Sequence, residues 1–210
     1  MRLQTNSPMD KLLDGGFEKD AITNVYALSC INHGKKAVYM DTEGSFSAER
    51  FGQLGGTEKD LKNIIFMDVH SWEEQCREMK GIEGMMRDDI GIIVVDSIVS
   101  LYRLEMDDKK FGEVNRQLAT QYSILSRITR KHKIPVLVTN QIYGTGEQTE
   151  ITSRTIAKYW SKTMIELKRS DRENMRSAIL RKHRSMPEGL KIDFEITKSG
   201  LKETGKFGIF

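Results

Sequence analysis

Cysteine is nearly absent from this chain. With two in 210 residues, Cys30 and Cys76, and no C-x-x-C spacing, neither a disulfide scaffold nor a thiolate metal site is built, and both read as reduced packing residues. Long apolar runs are missing too. The longest, residues 90–95 with Gly91 inside it, falls far short of the roughly 20 residues that cross a bilayer. The first 13 residues lack the continuous apolar stretch of a secretory signal, so an intracellular, cytoplasmic location is expected. There is no internal repeat or low-complexity tract. His33, His70 and His132 are scattered near predicted helix ends, where a histidine can simply favour the dipole, and no metal is assigned to them.

What remains is the composition of a globular protein, 38% hydrophobic and 30% charged, long enough for one substantial core. A single domain over 1–210 is the expectation. The net charge of +3 is unevenly spread: residues 1–153 carry 19 basic and 23 acidic side chains, residues 154–184 carry 10 and 3, and residues 185–210 carry 4 of each. A +7 segment beginning at Arg154 suggests a face for nucleic acid or another polyanion; the alternative is a solvated surface rich in lysine and arginine.

Apolar runs predict strands at 21–26, 37–40, 64–68, 90–95, 135–139, 163–167, 177–180 and 192–196. Ser71 followed by Glu74 forms a candidate capping box for a helix reaching about residue 86, and Val114, Leu118, Gln121, Leu125 and Ile128 space out a helix over 113–131. Strands alternating with helices imply an α/β fold with a mainly parallel sheet flanked by helices, and the closely spaced last three strands imply an antiparallel extension. Two polar stretches, 105–112 and 143–153, read as mobile loops. Between the first two strands only 27–36 is left for a crossover that ordinarily takes a dozen or more residues. Residues 27–33 before Gly34 read as the end of a helix whose beginning is missing.

Three of these strands end in polar tips: Asp41-Thr42-Glu43-Gly44, Asp96-Ser97 and Thr139-Asn140-Gln141. In an open parallel sheet such tips line one crevice, and carboxylates there suit magnesium and an activated water, hence a nucleoside triphosphate. Asp96 can hold Mg2+ with Ser97 beside it, Glu43 can act as general base, and Gln141 offers an amide to sense a terminal phosphate. Each has a plainer alternative: a buried strand that happens to end in Asp, turn chemistry in Asp-Thr-Glu-Gly, and a polar residue that merely ends a strand.

Taken in order, the pieces resemble the RecA-type recombinases, and among them the archaeal RadB group, which lacks an extra amino-terminal module. The likeness runs from Met9-Asp10-Lys11-Leu12-Leu13 and Gly15-Gly16-Phe17 through Ala48-Glu49-Arg50-Phe51, the three strand tips and Tyr159-Trp160, to Lys182-His183-Arg184 and Pro187-Glu188-Gly189. The resemblance implies a RecA-like core in which Glu43 is the catalytic glutamate, Asp96 the magnesium-linked aspartate and Gln141 the residue coupling the γ-phosphate to DNA. It implies ATP and Mg2+ as ligands, and Arg50 against the adenine or else simply exposed on a helix. It also implies two DNA-facing loops at 105–112 and 143–153, and contact of Lys182, His183, Arg184 and Arg154 with DNA phosphates. For the Lys-His-Arg triplet, a charged and protected strand edge is the alternative. As partners it implies single-stranded or branched DNA, the RadA recombinase and a Holliday-junction resolvase, with a monomer or homodimer as the assembly.

One element of that family is not here. The string G-x-x-x-x-G-K-[ST], due between Tyr26 and Ala27, occurs nowhere in the 210 residues, and His33-Gly34-Lys35-Lys36 does not replace it. Either the loop is deleted, leaving a pseudo-ATPase, or the intact protein carries further residues there. The expected function is thus a RecA-like ATP- and DNA-binding accessory of recombination with weak ATPase at most. A non-catalytic interaction module and a KaiC-like signalling ATPase are the alternatives.

Overall fold

The structure is a computed structural model that describes residues 2–3, 8–14, 17–18, 22–24, 35–107, 109–143, 150–151, 153–204 and 208–209. Among them ten strands form one sheet: β1 (Ile22–Asn24), β2 (Lys36–Asp41), β3 (Ile64–Asp68), β4 (Ile90–Asp96), β5 (Val136–Val138), β6 (Thr163–Arg169), β7 (Met175–Lys182), β8 (Leu190–Thr197), β9 (Gly200–Glu203) and β10 (Gly208–Ile209). Their order is β9-β8-β7-β6-β1-β5-β4-β2-β3, with β10 also on β8. Every pairing from β6 across to β3 is parallel, and every pairing from β6 out to β9 is antiparallel. All eight predicted strands are present, and the antiparallel extension is where the spacing put it. The two short strands after β8 escaped prediction because neither carries an alternating apolar pattern long enough to read.

Among the described residues seven helices accompany the sheet: α1 (Pro8–Leu12), α2 (Ala48–Gln53), α3 (Glu58–Leu61), α4 (Trp72–Met85), α5 (Ser100–Leu104), α6 (Phe111–His132) and α7 (Arg154–Trp160). Side chains alternate across a strand, so each central strand feeds two cores. Val38, Met40, Ile93, Val95, Val136 and Val138 pack with Met79 and Ile82 of α4 and Leu118, Tyr122 and Leu125 of α6. On the opposite face Ala37, Tyr39, Ile92, Val94 and Leu137 pack with Met9 and Leu12 of α1 and with Leu180, Ile192 and Phe194. That double burial is why the strands read as continuous apolar runs. Each valine, leucine, isoleucine, methionine or phenylalanine among them contributes about 1.5–3 kcal/mol when fully buried.

Several local expectations shift. Ser71 caps α4 by accepting from Glu74 N at 3.2 Å, but Glu74 returns its carboxylate to His70 N at 2.9 Å rather than to the cap residue. The first polar loop is shorter than 105–112, because Phe111 and Gly112 already belong to α6. That helix stops at Lys133, which takes the left-handed conformation at φ 56° just ahead of Pro135. Of the second loop, Ile142–Tyr143 pairs antiparallel with Glu150–Ile151. Residues 144–149, the expected helix at 27–33 and the Tyr26–Ala27 junction lie outside the described residues.

Candidate functional site

Parallel register decides what meets at the carboxyl edge of the sheet. Asp41 pairs with Asp96 on one side and Asp68 on the other, while Val95 pairs with Val138, so the tips of β2, β4 and β5 emerge together. They border a crevice of about 340 Å3 whose lining includes Tyr39, Glu43, Ser45, Arg50, Asp96, Ser97, Thr139, Asn140 and Gln141. Phe46, Phe51 and Leu54 form its apolar wall.

Asp41 is buried and acts within its own turn. One carboxylate oxygen accepts from Glu43 N at 3.0 Å and Ser45 N at 3.3 Å, and the other accepts from Phe46 N at 3.0 Å. Gly44 adopts φ +63° at the apex, a conformation that strains any residue with a Cβ even though space is free there. The turn therefore projects Glu43 outward as an exposed carboxylate. Thr42 fastens this turn to the next strand: its hydroxyl accepts from Ser97 N at 2.9 Å and donates to Ser97 O at 2.7 Å, and its amide donates to Asp96 O at 2.8 Å.

Asp96 stands in a ring of hydroxyls. Thr139 Oγ1 donates to one oxygen at 2.5 Å, while Tyr39 Oη at 2.8 Å and Ser45 Oγ at 3.3 Å donate to the other. Burial first, and then the Asp96 carboxylate itself, push the Tyr39 phenol far above its usual range, so it stays a donor. This donor set fits a hard divalent cation, which commonly takes one or two protein carboxylates and fills its shell from phosphates and water. Among the described residues there is no cluster of three acids, histidines or cysteines.

Across the crevice, Gln141 Nε2 donates to Glu43 Oε1 at 2.6 Å, joining residues 98 apart in the chain. On its other side, Gln141 Oε1 accepts from Arg103 Nη1 at 2.6 Å. Ser97 lies at the crevice, yet it is buried and its hydroxyl accepts from Ser100 N, the first amide of α5, at 3.1 Å. Arg50 also lines the crevice, with Nη1 donating to Lys198 O at 2.9 Å and Gln53 Oε1 at 3.1 Å. Behind Asp96, buried Gln75 donates to Ile98 O at 3.1 Å and to Gln121 Oε1 at 2.8 Å, holding the segment that follows the strand tip.

The basic triplet is divided. Lys182 Nζ donates to Lys158 O near the end of α7, and burial, then nearby Lys162, lower its pKa. His183 Nδ1 accepts from Ser185 N and Met186 N, each at 3.1 Å. Arg184 is exposed, as are Lys158, Lys162, Lys168, Arg169 and Arg172. The side chain of Arg154 lies outside the described residues. Sequence reasoning did not single out Tyr39, Thr139, Gln75 or Arg103. Thr139 was readable from its place two residues before Gln141, whereas nothing in the local sequence marks Arg103.

Comparison with known proteins gives the relatives of this chain. The Rad51 family matches residues 27–204. The DNA repair and recombination protein RadB of Methanobrevibacter smithii is 38% identical, with 95% of each chain covered. That of Methanococcus maripaludis is 37% identical over 94% of this chain and 98% of its own. A solved structure titled the crystal structure of the RadB recombinase superposes with a TM-score of 0.81 at 30% identity, covering 97% of this chain and all of that one. The M. smithii alignment spans 224 positions although 95% of 210 residues is about 200, so about 24 positions face gaps in this chain. Among the described residues no helix is long and apolar enough to cross a membrane.

Proposed function

The chain belongs to the Rad51 family, within its RadB group, and on that premise we propose that it is a RecA-like ATP- and DNA-binding protein of repair and homologous recombination. In this reading residues 1–210 form one RecA-like domain acting in the cytoplasm as an accessory to the RadA recombinase, with a Holliday-junction resolvase as a further partner and a homodimer as the assembly. The observation that carries it is the meeting of Glu43, Gln141 and Asp96 across one crevice at the carboxyl edge of a parallel sheet.

Asp96 would hold Mg2+, its carboxylate oriented by Tyr39, Ser45 and Thr139. Bound Mg2+ would neutralise charge on the β- and γ-phosphates. Glu43 takes the proton of the attacking water, and Gln141, bonded to it, exchanges that bond for a terminal phosphate and reports the change to the loop that follows. Turnover is weak at most, because the triphosphate cradle is the part that no G-x-x-x-x-G-K-[ST] string here supplies. The acidic half of the site fits its ligands. The cradle half falls at the Tyr26–Ala27 junction.

DNA binding rests on the +7 segment, with Arg184 the exposed member of its triplet. Lys182 and His183 are hydrogen-bonded to nearby backbone groups. The test is calorimetric titration of the full-length protein with ATP, with and without Mg2+, beside its intact mass. Micromolar affinity that requires Mg2+ supports the reading. No affinity in a protein of 24.1 kDa sinks it and leaves the non-catalytic module, since no phosphate-loop string occurs in that chain.

A further inference from the structure

The most exposed aromatic ring among the described residues is that of Tyr159, 71% open to solvent near the end of α7. The helix pattern puts it there. Ile156, Ala157 and Trp160 turn one side of α7 onto the core, while Thr155, Lys158 and Tyr159 are exposed. Trp160, half-buried, meets the Tyr159 ring edge-to-face with centroids 5.4 Å apart and planes at 85°, so the ring is steadied and at least one of its faces stays open. Positive charge surrounds it. Lys158 and Lys162 lie beside it in the chain and are exposed, Lys182 reaches the same helix end through its bond to Lys158 O, and Arg184 stands exposed two residues further on. Lys162 also lies within electrostatic reach of Lys182, and Glu188 offsets part of that charge.

We propose that Tyr159 is a stacking platform for an unpaired nucleobase of single-stranded DNA, with Lys158, Lys162 and Arg184 taking the neighbouring phosphates. Two features select this occupant. The basic surround calls for a polyanion, which an apolar protein surface does not supply. The open ring calls for a flat partner. In duplex DNA the faces of the bases are covered by the pairs above and below, so that only edges and phosphates are presented, whereas a single strand can turn a base face onto an aromatic ring. Tyrosine gives up little conformational entropy in such a contact, since two torsions fix it and Trp160 already restrains the ring. The contact reads no sequence, because every base has such a face. Tyr159 rests on the DNA reading proposed above and deepens it, adding a contact to bases where the +7 segment supplies contacts to phosphates.

Fluorescence anisotropy of the full-length protein with three labelled probes tests it: oligo-dT of about 15 nucleotides, a blunt duplex of that length, and an abasic strand of that length, each across a range of salt. Y159A should bind oligo-dT about tenfold more weakly at an unchanged salt slope, because a ring and no charge is removed. Y159F, which keeps the ring, should bind as the unaltered protein does. On the duplex and the abasic strand Y159A should match the unaltered protein, and both variants should melt at the unaltered temperature, since the side chain is exposed. Unchanged oligo-dT affinity in Y159A overturns the proposal, and so does an equal loss on the abasic strand. A fall in Y159F as large as in Y159A overturns it as well, by assigning the contact to the hydroxyl. If Y159A binds oligo-dT normally but loses a self-association that the unaltered protein shows in sedimentation, the ring belongs to an interface between copies and the platform falls. If none of the three probes binds the unaltered protein, the DNA reading of the function fails and the platform with it. DNA that binds the unaltered protein and Y159A alike sinks the platform alone.

Discussion

The carboxyl edge of the parallel strands and the basic segment after residue 154 were both nominated from sequence as functional, and they folded in opposite ways. At the edge, polar residues far apart in the chain come together: Glu43 meets Gln141 over 98 residues, and Asp96 meets Thr139 over 43. In the basic segment, three consecutive residues come apart. Lys182 and His183 bond to nearby carbonyl and amide groups, and only Arg184 is left facing solvent. Strand tips in a parallel sheet are aligned by register, which leaves Glu43, Asp96 and Gln141 facing one crevice while Asp41 is spent on the amides of its own turn. Charges at the end of an antiparallel strand sit beside helix ends and turns with unmet hydrogen-bonding groups, which claim them first.

The contrast can be broken most sharply at Asp96. Asp96→Asn should lower Mg2+-dependent ATP affinity at least tenfold by calorimetry while leaving any Mg2+-independent affinity alone; equal loss in both would mean the carboxylate shapes the crevice rather than the cation site. Next in size is the fastening of β2 to β4. Thr42→Val leaves the buried Ser97 amide without its acceptor and should cost about 1–3 kcal/mol in urea unfolding.

On the basic side, Arg184→Ala should weaken oligonucleotide binding uniformly across sequences and reduce the salt slope by about one. Lys182→Ala should leave that slope unchanged and instead lower stability by about 1 kcal/mol, having lost a bond to the end of α7. A shared effect on the slope would restore the triplet as one phosphate-binding unit. The smallest effect is a surface one. The Arg127 guanidinium hydrogen-bonds Glu83 at 2.8 and 3.0 Å and holds its carboxyl below the usual value. Stability from that pair is present above the ordinary carboxylate pKa and lost as pH falls through the lowered one, so Glu83→Gln should flatten the acid limb of a pH–melting curve only slightly.

Much of the fold was legible because the residues that build it act through periodicity. Ile92, Ile93, Val94 and Val95 announce a strand buried on both faces, and Val114 to Ile128 announce a helix facing it. The strand tips were legible because polar groups directly after such runs have few other places to be. Arg103 was not legible, since an exposed arginine on a five-residue helix has no pattern, and its meaning comes from a partner 38 residues on. The same holds for Tyr39, whose hydroxyl reaches Asp96 only because register sets the two strands side by side.

The sequence alone determined the alternation of strands and helices, the acids and amide at three strand ends, the missing phosphate-loop string and the uneven charge, because each is written in residues within a few positions of one another. Only the tertiary structure decided which of those groups face one another and which are spent on capping their own backbone. That choice depends on strand register and on where unsatisfied amides and carbonyls fall, and neither is set until distant segments pack.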